Sequence, residues 1–401
     1  YSLRYNRGAM EQFVIHGGRP LKGEIEVRGA KNAAFPILAA TILTKQDCVI
    51  KNLPLIEDVY RTLEILQGMG ASVAWLGSRK VKVNTATLDP AKIKKEIVSR
   101  FRGSVLLLGP LLARFGRVTL PKPGGDIIGA RPIDTHLDAF SQLGIKVLAS
   151  NGKVVLEKPA HLASRNVILN EFSVTATENM LLFAALQPHT ITIKTADQDY
   201  PVQELTKVLQ HMGVKIAHEG PHVIEVRGKR ELRGMNHTLM FDPIEAGTFL
   251  VLAAASRGQV LVKNVETRFL ELFLKKLKEF GVPLEVISER NGLANMKVSP
   301  WRKIQIDRIQ TFIYPGIHTD LQSPLGVLAT QAKGSTLLHD PLYPGRLKYL
   351  EELNKMGAEI YIADPHRAII NGPTKLSGRD LGTFDLRGGA ALIIAALIAK
   401  G

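Results

Sequence analysis

The stretch Leu66-Gln67-Gly68-Met69-Gly70-Ala71-Ser72-Val73 joins the end of a helix to a short strand. Val59, Leu63, Leu66 and Met69 recur every three or four residues and therefore lie on one face of that helix. Gly70 fits the position just after a helix, where the backbone turns left-handed and glycine is favoured. The stretch predicts a helix that ends at Gly70 and a β-branched strand behind it.

The same pattern occurs five times along the chain. Its glycines are Gly70, Gly144, Gly213, Gly281 and Gly357, at spacings of 74, 69, 68 and 76 residues. A second pattern, an Ala/Leu-rich helix followed by a polar turn and a strand, precedes most of them: Phe35–Leu43 into Asp47–Lys51, Ala184–Leu186 into Thr190–Lys194, Leu250–Ser256 into Gln259–Lys263, and Leu325–Gln331 into Ser335–Leu338. Such periodicity indicates repeated supersecondary units, and each unit of about 70 residues is interpreted as β-α-β-α-β-β.

Five units are complete, and a sixth begins at Leu381 and stops at Gly401. The period predicts that roughly 20–30 further residues would complete it. Six units favour two domains of three units each over a single solenoid, because each unit is long and contains two buried helices. We therefore predict an α/β fold with its ligand in the cleft between two domains.

The composition is that of a globular protein large enough for two or three domains, with 401 residues, 45% hydrophobic and 22% charged. No apolar run approaches the roughly 20 residues that span a bilayer. Met10 is a candidate natural start, which makes residues 1–9 a leader or an expression remnant, and Tyr1–Met10 has no apolar signal-peptide core. Cys48 is the only cysteine, so disulfides and cysteine-based metal sites are excluded. We expect a cytoplasmic protein with no membrane partner.

The formal net charge of +15 raises nucleic acid as a partner. The basic clusters Lys92–Lys95 and Lys275–Lys278 nevertheless alternate with apolar residues, which is typical of solvated helix faces. Aromatic residues make up 6% of the chain, and no platform for stacking bases is visible. Steering of a small anionic substrate is the favoured interpretation, and a nucleic-acid-binding repeat protein remains the alternative from another class.

Pro123-Gly124-Gly125-Asp126 opens a glycine-rich segment that continues through Arg131 to His136. We predict a mobile loop over residues 123–132 with one carboxylic acid at its tip. An acid on a flexible loop beside a guanidinium suits a lid that delivers a proton over an anionic substrate. A turn whose Asp126 is merely solvated is the open alternative.

Six motifs spread over the chain resemble the enolpyruvyl transferase family, and within it the UDP-N-acetylglucosamine 1-carboxyvinyltransferases. They are Gly29–Ala34, Gly109–Gly116, Ile128–Asp134, Gly247–Phe249, Thr319–Gln322 and Asp385–Arg387. The resemblance runs from about Phe13 to Gly401 and implies two inside-out α/β domains of three β-α-β-α-β-β units each, the sixth unit incomplete. It assigns residues 31–241, with the mobile loop, to the UDP-sugar side. It assigns residues 10–30 plus 242–401 to the phosphoenolpyruvate side, incomplete at its C-terminus.

The activity that this resemblance implies is transfer of the enolpyruvyl group of phosphoenolpyruvate to the 3′-hydroxyl of UDP-N-acetylglucosamine, with release of phosphate. This is the first committed step of peptidoglycan precursor synthesis. The family needs neither a metal nor an organic cofactor, and a monomer is expected. The shikimate-pathway enolpyruvyl transferases are the nearest alternative, but they carry a Lys-Ser pair where this chain has Lys31-Asn32.

The chain departs from the family pattern in three places. Asp126 stands where the loop usually has cysteine, which implies insensitivity to the epoxide fosfomycin. Asp199-Tyr200-Pro201 replaces a Glu-Pro-Glu motif. The family's last segment, which carries a further phosphate-contacting arginine, lies beyond Gly401, so a catalytically silent homologue is a further alternative.

The resemblance also implies a role for each matching residue. Asp126 is the proton donor and Asp320 the base for the sugar hydroxyl, although Asp320 alone would fit a helix N-cap. The phosphoenolpyruvate cations are Lys31, Arg131, Arg346 and Arg387, of which Lys31 also counts as catalytic. The backbone N–H groups after Asp385 could also hold an anion.

Asn32 would hold the sugar and the tetrahedral intermediate. Arg102 matches a uridine-side contact, with a helix-end cap as its alternative. No chemistry is assigned to His136. The remaining predicted substrate-binding residues are Pro132, Ile133, Asp134 and Thr135 in the uracil strip, Glu171, Phe172, Ser173, Val174 and Thr175 on the diphosphate side, and Leu342 and Asp385.

Overall fold

The computed structural model describes residues 12–99, 101–124, 132–150, 152–383 and 385–401. The strands within them are β1 (Lys22–Glu26), β2 (Cys48–Lys51), β3 (Ser72–Gly77), β4 (Lys80–Asn84), β5 (Arg117–Pro121), β6 (Lys146–Ser150), β7 (Lys153–Glu157), β8 (Asn166–Ile168), β9 (Thr190–Lys194), β10 (Lys215–His218), β11 (Val223–Arg227), β12 (Asn236–Thr238), β13 (Gln259–Glu266), β14 (Leu284–Arg290), β15 (Leu293–Val298), β16 (Arg308–Gln310), β17 (Gly334–His339), β18 (Glu359–Asp364) and β19 (Arg367–Gly372). The α-helices are α1 (Lys31–Ala40), α2 (Glu57–Gly68), α3 (Lys95–Val98), α4 (Leu108–Phe115), α5 (Asp134–Gln142), α6 (Val174–Ala184), α7 (Tyr200–Met212), α8 (Pro243–Ala255), α9 (Glu271–Glu279), α10 (Gln322–Ala329), α11 (Tyr349–Lys355) and α12 (Leu386–Ile398).

The strands of the described residues form five sheets that repeat one arrangement. Four of them have the orders β12-β2-β4-β3, β10-β11-β9-β8, β1-β13-β15-β14 and β16-β17-β19-β18, and the fifth is β5-β7-β6. In each four-stranded sheet one short edge strand pairs in parallel and the others pair antiparallel. The predicted repeat of about 70 residues is therefore also a structural repeat, in which each unit contributes one small sheet with its helices.

Two hydrophobic cores lie inside these sheets. One is built from residues between Ala34 and Leu239, and the other mainly from residues from Met240 onward together with Val27, Ala30, Ala33 and Tyr200. The chain passes from the second core to the first after β1, which pairs with β13, and it passes back after β12, which pairs with β2. The exact domain boundaries stay a prediction.

The helices at the centre of each core are buried on almost every side. In α6 every residue from Ala176 to Ala184 is buried, and α10 is buried over its whole length. The sheets lie outside them and leave one face to solvent, as at Trp75 and Tyr361. Helices inside and sheets outside make this an inside-out α/β fold, as predicted.

The five glycines of the repeated pattern all have a left-handed backbone. The φ angles are +98° at Gly70, +81° at Gly144, +109° at Gly213, +92° at Gly281 and +96° at Gly357. A residue with a Cβ is strained in this region, whereas glycine is not. The helix ends predicted from the sequence are therefore confirmed.

Two further expectations concern the cysteine and membrane-spanning helices. Cys48 lies in β2 and has no exposed surface. Among the described residues, no helix is both long and apolar enough to cross a membrane.

Candidate active site

Asp320 occupies a short 3-10 turn, Thr319–Leu321, directly before α10. Its Oδ1 lies 2.9 Å from Nη2 of Arg346, and its Oδ2 lies 2.9 Å from Nε of Arg387. The three side chains are 13%, 5% and 16% exposed. Arg387 comes from the first turn of α12 and Arg346 from the segment before α11, so the packing of three elements assembles one anion between two cations.

The helix-cap interpretation of Asp320 is wrong. The side chain that caps this turn is His318, whose Nδ1 accepts a hydrogen bond of 3.0 Å from the backbone N–H of Asp320. The carboxylate of Asp320 is thereby left to its pairing with the two guanidinium groups.

Opposing effects set the acidity of Asp320. Burial by itself would raise its pKa, but the charges of Arg387 and Arg346, with smaller contributions from Lys31 and from His318 when its ring is protonated, hold that pKa well below its usual range. Asp320 is therefore ionised at every physiological pH. Its basicity depends on whether the two arginines stay paired with it.

Lys31 opens α1 and lies on the same side of the molecule, since its charge acts on Asp320. Its backbone N–H donates to Oδ2 of Asp242 at 2.9 Å, and its Nζ lies 3.4 Å from Oδ2 of Asp58. Asp242 also caps α8 through the N–H groups of Ile244 and Glu245. One carboxylate thus ties the starts of two helices together, and Asn32, the next residue of α1, is half-buried there.

Asp385 caps α12 and corrects one expectation. Its Oδ1 accepts from the backbone N–H groups of Arg387 and Gly388, both at 2.9 Å. These N–H groups are therefore filled by a side chain of the protein and do not form an anion site. A substrate contact for Asp385 stays a prediction.

Asp340 holds the segment of Leu342 beside the Asp320 turn. Its Oδ1 accepts from the backbone N–H of Leu342 at 3.0 Å, and its Oδ2 accepts from the hydroxyl of Thr319. Asp340 has no exposed surface. A buried carboxylate with these partners fixes the position of Leu342 relative to Asp320.

The predicted sugar-side residues are brought together by two contacts. Nη2 of Arg102 donates to the carbonyl oxygen of Pro132 at 2.9 Å. The hydroxyl of Thr135 donates to Oε1 of Glu171 at 3.1 Å, which joins residues 132–135 to residues 171–175. Ser173 caps α6. Within these segments the structure places Ile133 in the core, leaves Pro132, Asp134, Glu171 and Phe172 exposed, and half-buries Thr135, Ser173, Val174 and Thr175. Asp126 and Arg131 lie outside the described residues.

His136 is a structural residue. It is 2% exposed, and its ring nitrogens lie 3.0 Å from Nδ2 of Asn179 and 3.0 Å from Oγ1 of Thr175. Burial, with a smaller contribution from the charge of Arg102, lowers its pKa to about 3. A neutral, fully bonded imidazole fits the absence of any chemical assignment to it.

His318 is a site residue that the sequence did not predict, and no role was predicted for Asp199 and Asp242. Oδ2 of Asp199 lies 3.3 Å from Nε2 of His318. Both aspartates stand just before a proline-containing first turn, which is a helix-start signal that the sequence offers. No sequence pattern connects His318 with Asp199, which are distant in the chain.

Comparison with known proteins decides the family. Residues 15–401 match the family described as EPSP synthase (3-phosphoshikimate 1-carboxyvinyltransferase). A UDP-N-acetylglucosamine 1-carboxyvinyltransferase of Treponema denticola is 36% identical over 98% of this chain and 92% of its own length. A relative of Carboxydothermus hydrogenoformans, named UDP-N-acetylglucosamine 1-carboxyvinyltransferase 2, is 39% identical over the same shares. The chain belongs to the enolpyruvyl transferase family.

Solved structures of enolpyruvyl transferases share the fold of this chain. The enolpyruvyl transferase NikO from Streptomyces tendae superposes with a TM-score of 0.86 at 23% identity, covering 96% of this chain and 90% of NikO. EPSP synthase from Acinetobacter baumannii gives a TM-score of 0.73 at 19% identity, covering 97% of this chain and 92% of its own. At these identities the likeness shows the fold of an enolpyruvyl transferase and nothing finer.

Proposed function

We propose that this enolpyruvyl transferase moves the enolpyruvyl group of phosphoenolpyruvate to the 3′-hydroxyl of UDP-N-acetylglucosamine and releases phosphate. The observation that carries the proposal is the Asp320 carboxylate, held at 2.9 Å by both Arg346 and Arg387. The relatives named UDP-N-acetylglucosamine 1-carboxyvinyltransferase, at 36–39% identity over nearly the whole chain, support this choice of acceptor.

The paired arginines suit a small dianion. Phosphoenolpyruvate carries a phosphate and a carboxylate, and guanidinium groups bind both strongly. A substrate that engages Arg346 and Arg387 competes with Asp320 for them. The pKa of Asp320 then rises towards its usual range, so substrate binding converts a buried counter-ion into a usable base.

The reaction is an addition followed by an elimination. The sugar hydroxyl attacks C2 of phosphoenolpyruvate and gives its proton to Asp320, while an acid protonates the C3 methylene. Loss of a C3 proton and departure of phosphate then restore the double bond in the product ether. Asp126 as the acid and Arg131 as a further cation stay predictions, as do the sugar-side roles of Asn32, Arg102 and residues 132–135 and 171–175.

The decisive experiment is an assay of phosphate release with one acceptor at a time. UDP-N-acetylglucosamine with phosphoenolpyruvate should release phosphate, and Asp320→Asn should lower kcat by about 10²–10⁴-fold, the usual contribution of a general base. If phosphoenolpyruvate released phosphate with 3-phosphoshikimate and not with UDP-N-acetylglucosamine, the proposal would be replaced by the EPSP synthase activity that the matching family description names. Action on these small molecules as a cytoplasmic monomer is part of the proposal.

A further inference from the structure

His318 lies between Asp320, the predicted base, and Asp199, the cap of α7. Its Nδ1 accepts from the backbone N–H of Asp320 at 3.0 Å, and its Nε2 lies 3.3 Å from Oδ2 of Asp199. Asp199 caps α7, whose apolar residues from Val202 to Met212 belong to the first core, whereas Leu321 of the Asp320 turn belongs to the second core. The imidazole therefore contacts both the cap of α7 and the Asp320 turn.

The two contacts determine which nitrogen of His318 carries the proton. A backbone N–H can only donate, so Nδ1 must present its lone pair to Asp320. The proton of the neutral ring is then on Nε2, where it donates to the carboxylate of Asp199. The tautomer that accepts from Asp320 therefore directs its own proton towards Asp199.

Asp199 is itself held in place. Its Oδ1 accepts from the N–H of Tyr200 at 2.7 Å, and its own N–H donates to Oδ1 of Asp197 at 2.7 Å. Its side chain is 8% exposed. The ring of Tyr200 lies 6.5 Å from the ring of His318, measured between centroids. The carboxylate that receives the Nε2 proton is therefore rigid, as an orienting group must be.

We propose that His318 is a positioning residue: with Asp199 it holds the Asp320 turn so that the carboxylate of Asp320 faces the reacting hydroxyl. The inference rests on the proposed function and deepens it, because it names what orients the base. Asp199 fixes the tautomer of His318, and His318 fixes the backbone of Asp320.

Protonation of the ring is the competing state. Burial opposes it, but the hydrogen bond that His318 donates to Asp199 and the charges of Asp320 and Asp199 outweigh burial and raise the pKa of His318, against a smaller opposing effect of Arg387. Asp197 and Tyr200 also face this histidine. A proton on Nδ1 would turn an acceptor into a donor and break the contact with Asp320. Activity should therefore fall as the pH is lowered through the pKa of His318.

Three variants separate the two contacts. His318→Asn keeps an acceptor near the N–H of Asp320 but does not reach Asp199, and it does not titrate. His318→Ala removes both contacts. Asp199→Asn keeps the cap of α7 but offers an N–H to Nε2, which reverses the tautomer and moves the ring proton to Nδ1.

The kinetic expectation is a loss in kcat with little change in either KM. His318→Ala and Asp199→Asn should each lower kcat by about 10–100-fold, the usual cost of removing an orienting partner. His318→Asn should recover part of the loss and should lack the acid limb of the wild-type pH profile. His237→Gln is the matched control, because His237 and Glu204 form a similar pair at 2.7 Å that contacts neither Asp320 nor its arginines. It should leave kcat and the pH profile unchanged.

The tautomer itself is read by ¹⁵N NMR of ring-labelled protein, which does not depend on activity. At a pH above the pKa of His318, the wild type should show the Nε2–H form and Asp199→Asn the Nδ1–H form. A wild-type Nδ1–H ring, or unchanged kcat in both His318→Ala and Asp199→Asn, would overturn the inference. A wild type that is inactive with both acceptors would overturn the proposed function. The NMR result would still decide whether Asp199 sets the tautomer of His318.

Discussion

At the scale of single residues, the charge balance around Asp320 governs the site. Two guanidinium groups at 2.9 Å hold one carboxylate, and Lys31 adds a third positive charge nearby. The two arginines are paired with Asp320 and Lys31 is paired with Asp58, so a dianionic substrate would have to displace these carboxylates from their cations. The same balance explains why Asp320 cannot act as a base until its partners are drawn away.

Removing one of these cations should weaken binding of the small substrate selectively. We expect Arg387→Ala and Lys31→Ala to raise KM for phosphoenolpyruvate far more than KM for the UDP-sugar, since a charge-assisted contact contributes about 1.5–3 kcal/mol. Arg367→Ala is the control, because Arg367 pairs with Asp364 on the surface and is 59% exposed. Equal increases for both substrates would mean that Arg387 and Lys31 act only on the structure.

The single thiol should be inert. Burial raises the pKa of Cys48 to about 11, and its side chain has no exposed surface, so the reactive thiolate is scarce and inaccessible at neutral pH. We expect no labelling by iodoacetamide in the folded protein, full labelling after denaturation, and turnover that resists fosfomycin. Asp126→Cys should become sensitive to that epoxide. Rapid inactivation with Asp126 in place would contradict this expectation.

At the scale of elements, close approach of α8 to the Asp320 turn depends on one glycine. A Cβ at Gly247 would lie 2.6 Å from Cδ2 of Leu321, the residue that follows Asp320. No larger side chain fits without moving Leu321. This contact is a physical reason for the Gly247-Thr248-Phe249 motif, which the sequence shows without explaining.

Gly247→Ala should therefore affect both stability and activity. We expect a loss of about 1–3 kcal/mol in the free energy of unfolding, which is typical of overpacking, and a fall in kcat as the Asp320 turn shifts. Gly77→Ala is the control, since its Cβ would meet only Cβ of Lys80 at 3.9 Å. Denaturant unfolding and phosphate release measure the two effects, and unchanged kcat in Gly247→Ala would show that the turn is not coupled to α8.

The start of α7 carries an acid whose burial should weaken the fold at neutral pH. Burial, and to a lesser degree the charge of Asp199, raises the pKa of Asp197 from 3.8 to about 6, against the hydrogen bond from the N–H of Asp199. The folded protein binds this proton more tightly than the unfolded chain. Stability contributed by Asp197 is therefore full below about pH 4 and is lost as the pH rises to about 6.

Asp197→Asn should remove that loss. The amide oxygen can still accept from Asp199, and no charge has to be buried, so the variant should be more stable than the wild type by up to about 3 kcal/mol at pH 7, two pKa units at 1.36 kcal/mol each. At pH 4 the two proteins should unfold at the same denaturant concentration. A variant less stable than the wild type at pH 7 would show that the Asp197 charge is stabilising.

At the scale of the whole molecule, the net charge of +15 acts on association. Both proposed substrates are anions, and the positive field of the protein should speed their encounter. We expect kcat/KM for phosphoenolpyruvate to fall as salt is raised from about 0.01 to 0.15 M, over which the screening length shrinks from about 30 to 8 Å. The matched measurement is kcat at saturating substrate, which should change little. If kcat/KM did not change with salt, the net positive charge would have no effect on substrate association.

Local features of the sequence determined the repeat. A glycine with a left-handed backbone ends a helix in every complete unit, and that requirement acts within a few residues, so spacing alone predicts the helix ends and the β-α-β-α-β-β units. Buried helices rich in Ala and Leu, such as α8, are likewise visible from composition. Local features did not identify Asp320, Arg346 and Arg387, because each by itself is an ordinary charged residue. Only the resemblance to the family pointed to them.

Only the tertiary structure decided how those residues meet. Long-range packing brings Asp320 within 2.9 Å of both Arg346 and Arg387, and it sets His318 against Asp199 at 3.3 Å. A hydrogen bond depends on distances of a few tenths of an ångström between groups more than a hundred residues apart, as with His318 and Asp199. Sequence periodicity carries no such information, because it records which face of an element is buried and not which side chain of another element lies opposite.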